Sequence, residues 1–207
     1  MNLKYLFIIV ISCFCINVFS SPILPFVKSK TVSKDKQTVE DYIGMPITGQ
    51  TGENIAKYMQ KQEKQFSSIR NVTIKRIREG EVLEITIPSD QLFINNDSIF
   101  SEMSELNLRP ILTFMRKGLT DLFITVHTDD TGSEQYLQNL SDRRASAIYN
   151  WFLLNKIEKD NIAIQSMAYK NPIFTNDSME NRKNNRRITF YIIPNKNMIK
   201  QAKKNKL

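Results

Sequence analysis

"TVHTDDTGSEQYLQNLSDRRASAIYNW", residues 125–151, holds the chain's one histidine (His127), two adjacent acids (Asp129, Asp130), two adjacent arginines (Arg143, Arg144) and its one tryptophan. The run "LFITVHT" (residues 122–128) is mostly apolar and strongly β-forming, so it reads as a central strand of a sheet. Thr131-Gly132 lets the chain turn. Ser141 reads as the N-cap of a helix running to about residue 155, with Ile148, Trp151, Phe152 and Leu154 facing the core. Asp129 then lies at the carboxyl end of a strand, where α/β folds place ligand sites. Arg144 falls in the first turn of the next helix, whose free N–H groups and partial positive charge suit a carboxylate. With strand end beside helix start, the two residues line one pocket with opposite signs. Asp129 would take an ammonium and Arg144 a carboxylate. A plain Asp129–Arg144 salt bridge between strand and helix fits the same pattern.

Outward from this stretch, the apolar period alternates between helix and strand. "TGENIAKYMQKQEKQF" spaces Ile55, Met59, Phe66 and Ile69 as a weakly amphipathic helix. "VTIKRIREGEVLEITIP" reads as a hairpin turning at Glu79-Gly80, with Leu83, Ile85 and Ile87 alternating with Glu84 and Thr86. "QLFINNDSIF" reads as a strand end entering a polar loop. Pro110 opens a helix that stops at Gly118. "IAIQSMAY" and "RITFYII" are further strands, with a short helix in the long loop between them. The order β-β-α-β-α-β-(α)-β predicts an α/β (α+β sandwich) fold, a mixed β-sheet with helices packed on one face.

The flanks have another character. Residues 1–20 carry an early lysine and an apolar run too short for a confident membrane span, ending in Val18-Phe19-Ser20. They read as a secretory signal peptide cleaved near Ser20, with a retained anchor as the alternative. "VISC" also has the form of a lipidation signal at Cys13, although the residues after Cys13 stay apolar. Both cysteines lie in this segment, so the mature chain has no disulfide or thiol nucleophile. One histidine and no phosphate-binding glycine loop exclude the common metal and nucleotide sites, and no cofactor is expected. Residues 21–50 read as a linker, 51–81 as a lead-in helix and first strand, and 82–193 as the main domain. The basic tail 194–207 has five lysines and no acid, and reads either as a frayed terminus or as attraction to an anionic surface. The net charge is +8, but no aromatic–basic interleaving favours nucleic acid.

These residues resemble the OmpA-like peptidoglycan-binding domain, shared with peptidoglycan-associated lipoproteins. "HTDDTG" (127–132), "LSDRRA" (140–145), Tyr169 with Pro172, and "NDSMENRKNNRR" (176–187) follow the family's four blocks in order. The resemblance covers about residues 82–193. It implies that Asp129 and Arg144 hold the diaminopimelate of the peptidoglycan stem peptide, whose side-chain end is a zwitterion. Thr128, Asp130, Ser141, Asn185 and Arg187 are expected pocket contributors. The family pattern is broken at Val126, Leu137, Ala168 and Asn181, with Val126 expected to narrow the pocket and Leu137 lacking a polar group. His127 has no nucleophile beside it and reads as structural. Asp130 and Glu134 read as charges at a helix start, the alternative being a carboxylate pair for glycan cleavage.

The expectation is therefore a non-enzymatic, peptidoglycan-binding protein of the periplasm or of the periplasmic face of the outer membrane. An anchor at Cys13 or a partner protein would supply the outer-membrane association. The alternative is an envelope adaptor that keeps the fold and binds another protein.

Overall fold

The computed structural model describes residues 38–207; the signal segment, Cys13 and most of the 21–50 lead-in lie outside the described residues. Two helices come first, α1 (Val39–Ile43) and α2 (Gln50–Glu63), then the hairpin strands β1 (Thr73–Ile77) and β2 (Val82–Pro88). Helix α3 (Ser104–Met115), strand β3 (Thr120–His127), helix α4 (Glu134–Leu154) and strand β4 (Ile162–Ala168) follow. The chain closes with α5 (Met179–Asn185), β5 (Arg187–Pro194) and α6 (Lys196–Ala202). The five strands form one mixed sheet in the order β1-β2-β5-β3-β4, with β3 and β4 parallel and the other pairs antiparallel. This is the expected α/β class.

Strand parity decides which side chains meet. Leu83, Ile85 and Ile87 of β2, Leu122, Ile124 and Val126 of β3, and Ile188, Phe190 and Ile192 of β5 all enter one core. That core is covered by Ile55 and Met59 of α2, Leu108 and Ile111 of α3, Ile148 and Phe152 of α4, and Met198 and Ala202 of α6. Each such large side chain contributes about 1.5–3 kcal/mol on burial. Intervening residues face the other way, where Val82, Phe123 and Tyr191 meet Val39, Tyr42 and Ile43. Tyr42 stacks on Phe123 with ring centroids 4.0 Å apart. The lead-in is thus structured from Thr38 and adds one short helix to the second face.

Several local expectations are corrected. Helix α4 begins at Glu134, capped by Ser133, whose hydroxyl accepts from the Tyr136 N–H at 3.2 Å. Ser141 is therefore no N-cap and lies two turns inside the helix. Leu137 and Leu140 already belong to its buried face, so the apolar period starts before Ser141. At its other end Trp151 packs partly buried against the core, while Leu154 is 61% exposed. Pro110 sits inside α3 rather than at its start. Its missing N–H leaves the carbonyl of the exposed Leu106 to solvent. Residues 91–100 form a loop closed by a Phe93–Phe100 bridge, not a strand end. The tail is not frayed throughout, because α6 docks on α2 with Met198 fully buried. Nor does a boundary at residue 82 fall between structural units, since β1 pairs along β2 in the same sheet.

Candidate functional site

A cavity of about 380 Å³ opens beyond the carboxyl end of β3. Its walls come from the loop after β2 (Ser89, Asp90, Phe93, Asn95, Asn96), the end of β3 and its turn (Thr128, Asp129, Thr131), the first three turns of α4 (Tyr136, Leu137, Leu140, Arg144) and Arg186. Asp129 and Arg144 therefore share one site, but the route differs from the sequence reading. Arg144 reaches the cavity from the third turn of α4, so the helix N-terminus is not what supports it.

The loop after β2 holds the arginine. Phe93 and Phe100 stack at 5.1 Å, and Asn107 of α3 donates to the Gln91 carbonyl at 2.9 Å, fixing the loop against the helix. The Phe93 ring then lies 5.2 Å from the Arg144 guanidinium carbon, and the Asp97 carbonyl accepts from Arg144 Nε at 2.8 Å. This aims a planar cation over an aromatic face. Arg144 is only 3% exposed, yet among the described residues it has no carboxylate partner, and its two Nη groups make no hydrogen bond. Burial pushes the guanidinium below its usual pKa; Tyr136 and Asp97 oppose this, while Arg186 and Arg143 add to it. A buried, unpaired cation facing a cavity is costly without an anionic ligand.

The end of β3 brings the anion. Asp129, 5% exposed, accepts from the Thr131 N–H at 2.9 Å through one carboxylate oxygen and pairs with Arg186 through the other. The turn depends on Gly132, whose φ of 134° lies in the left-handed half of the backbone map. Thr128 lines the cavity, its hydroxyl donating to the Asp129 carbonyl at 2.9 Å. The Ser89 hydroxyl, in the loop after β2, is buried without a protein partner. The Asp129–Arg144 salt bridge does not form; each keeps hydrogen-bonding capacity toward the cavity.

The remaining expected contributors do other work. Ser141 clamps α4 to the sheet, donating to the Val126 carbonyl at 2.8 Å and accepting from the Ala168 N–H at 3.2 Å. Asn185, fully buried, accepts from the Ile173 and Phe174 N–H groups and donates to Phe174 O and Asn176 Oδ1, so it closes the loop before α5. Asp130 points outward to Arg182 at 3.4 Å, and Glu134 is exposed; neither lines the cavity. Arg187 starts β5 on the face opposite Ile188 and donates to the Asn171 carbonyl at 3.0 Å. The cavity arginine is Arg186. The alternation of "RITFYII" carried this signal: with Ile188, Phe190 and Ile192 inward, Arg187 must face away. Nothing local in the sequence marks Phe93, Asp97 or Ser89.

His127 shares the far face with Thr125. Nδ1–H donates to the Lys170 carbonyl at 3.2 Å, which leaves Nε2 to accept from the Thr125 hydroxyl at 3.1 Å. Burial, aided by nearby Arg187, lowers its pKa to about 3, so the ring is neutral at ordinary pH. Val126 enters the main core and does not line the cavity, whereas Leu137 does. Among the described residues no group of three or more His, Cys, Asp or Glu is placed to hold a metal, and no helix is long and apolar enough to cross a membrane.

The comparisons agree with this architecture. The chain is similar to the putative lipoprotein YfiB of Escherichia coli (strain K12), 29% identical over 103 residues, which is 49% of this chain. It spans 64% of that relative's length, less than two thirds. A putative MotB-like protein of Desulfovibrio vulgaris shares the fold at a TM-score of 0.59 and 21% identity, covering 69% of this chain and 95% of that one. The cell wall anchor of the T6SS from Pseudomonas aeruginosa does so at 0.55 and 20%, covering 68% and 97%. The OmpA family model matches residues 92–186, which supply the cavity from Phe93 to Arg186. The chain carries an OmpA-like domain.

Proposed function

We propose that the chain binds peptidoglycan non-covalently through the diaminopimelate of the stem peptide, tethering the protein to the cell wall. The observation that carries this reading is Arg144: a buried cation, unpaired among the described residues, whose free donors reach a cavity that also holds a buried carboxylate. The ligand's carboxylate would take the Nη donors in a two-pronged contact. Its ammonium would take Asp129, sharing or displacing Arg186. Support also comes from the names of similar proteins, one given as a cell wall anchor and one as a putative lipoprotein. They favour a place in the cell envelope, on the periplasmic side; a lipid at Cys13 or a partner protein would supply any link to the outer membrane. In this reading the site binds and holds its ligand.

The test is co-sedimentation with insoluble peptidoglycan, wild type beside Asp129→Asn, with free diaminopimelate as competitor. Asp129→Asn keeps the Thr131 contact but loses the charge. The expected result is at least tenfold weaker binding by the variant and competition by diaminopimelate in the wild type. Equal binding by both proteins, or binding that free diaminopimelate leaves unchanged, sinks the proposal and puts the protein-adaptor reading in front.

A further inference from the structure

The end of the domain away from the cavity carries a second chemical signature. Strand β3 runs from Thr120 to His127, a span of roughly 23 Å at the usual rise per residue. The cavity lies beyond the His127 end. At the Thr120 end, the Asn195 N–H donates to the Leu119 carbonyl at 3.1 Å, and the Asn195 and Asn197 side chains donate to Gly118 O at 3.3 and 3.1 Å. These bonds seat α6 at that pole. Asn54 of α2 then donates to the Ala202 carbonyl at 3.2 Å and to Asn205 Oδ1 at 2.8 Å, so the end of the basic tail is fixed beside α2.

This docking gathers lysines that are far apart in sequence. Lys57 and Lys61, one turn apart on α2, line a groove of about 310 Å³ with Tyr58, Gln62, Asn205 and Leu207. Lys117 donates to Gln62 at 2.7 Å, with its ammonium 4.8 Å from the Phe114 ring centroid. Lys200, Lys203, Lys204 and Lys206 complete the pole, all exposed. None of these seven lysines has a carboxylate within ion-pair distance among the described residues. The nearby acids are engaged elsewhere: Glu53 accepts from Gln50, and Glu63 pairs with Arg76 at 3.4 Å. Lys196 lies near Asp121 and is not counted.

We propose that this α2–α6 pole docks on an anionic phospholipid bilayer, the lysines engaging headgroup phosphates while the Asp129/Arg144 cavity faces away from the membrane. Charge complementarity sets the class of partner. Position sets the choice of a membrane over an anionic glycan of the wall, a choice that rests on the wall-binding reading. A surface at the pole opposite a wall-binding cavity is turned away from the wall when the cavity is occupied. The domain would then span the gap between two layers by contact at both ends.

The test is co-sedimentation of the full chain with vesicles of phosphatidylcholine alone and of phosphatidylcholine mixed with phosphatidylglycerol, at low and physiological salt. Comparing the two vesicle types cancels any insertion of the apolar N-terminal residues, which is common to both. The perturbed protein is K57Q/K61Q/K203Q/K204Q/K206Q. Each surface lysine near an anionic leaflet is worth about fivefold in partitioning. The wild type should therefore prefer the anionic vesicles by roughly a hundredfold or more at low salt, falling with salt, and the variant should lose most of that preference. Arg144→Met should lose wall binding and keep the vesicle preference, which separates failure at one pole from failure at the other. No preference for anionic vesicles, or an equal preference in the lysine variant, overturns the proposal. Lysine-dependent binding to isolated wall in place of vesicles also overturns it and assigns the pole to an anionic glycan.

Discussion

Replacing Arg144 by methionine should abolish wall binding and leave the protein at least as stable as before. In the folded chain the guanidinium is 3% exposed and gains one hydrogen bond, to the Asp97 carbonyl, and one contact with the Phe93 ring. A hydrogen bond from a charged donor is worth about 1.5–3 kcal/mol, and a ring contact of this kind about 0.5–2 kcal/mol. Against them stands the desolvation of a cation with no carboxylate partner among the described residues, a cost of several kcal/mol. Methionine fills similar space and brings no charge, so stability should be unchanged or rise by up to about 3 kcal/mol. Binding moves the other way. Truncating one partner of a buried, hydrogen-bonded charge pair costs about 2–5 kcal/mol, and at the middle of that range affinity falls by about a hundredfold or more. Chemical denaturation followed by the fluorescence of Trp151, partly buried on α4, reads the first quantity. Wall co-sedimentation reads the second. A variant destabilised by more than about 3 kcal/mol would show Arg144 to be a structural buttress. A variant that binds wall like the wild type would refute the reasoning outright.

Ser141→Ala removes both ties between α4 and the ends of β3 and β4, leaving the Val126 carbonyl and the Ala168 N–H unpaired in the interior. The expected loss is about 2–3 kcal/mol, read as a lower melting temperature with the cavity residues untouched. His127 gives a pH signature. Its folded pKa lies near 3, below the ordinary 6.5, so its contribution to stability is fully present above pH 6.5 and is lost as pH falls toward 3. The slope is about 1.4 kcal/mol per pH unit over that window. His127→Gln should lack this component, so denaturation at pH 7 and pH 5 should show the stability gap between the two proteins narrowing in acid; a constant gap would show that the ring protonates in the folded state. Gly52→Ala tests the lead-in, since an added Cβ would stand 1.8 Å from the Ile47 carbonyl oxygen. It should cost about 1–3 kcal/mol and raise hydrogen exchange in residues 38–47, where Ile47 N–H donates to Glu81.

The sequence by itself determined the class of fold and the two charges at the heart of the site. Alternation in "VLEITIP" and "RITFYII" and the apolar run before Asp129 depend only on the two-residue period of a strand, and the core follows that period. The turn chemistry of Thr131-Gly132 is equally local, and Asp129 falls where the strand's end demands. Tertiary structure decided the rest. Which serine caps α4 depended on where the buried face of the helix begins. A polar residue eight positions inside the helix looks like a cap until the sheet beneath it supplies a carbonyl and an N–H. The partners of Arg144 come from a loop about fifty residues upstream, which no local pattern connects to it. The tail's lysines look like a solvated end until Met198 and Ala202 enter the core and turn them into one pole of the domain. Local periods fix which way each side chain points, but only packing of distant segments fixes what it meets.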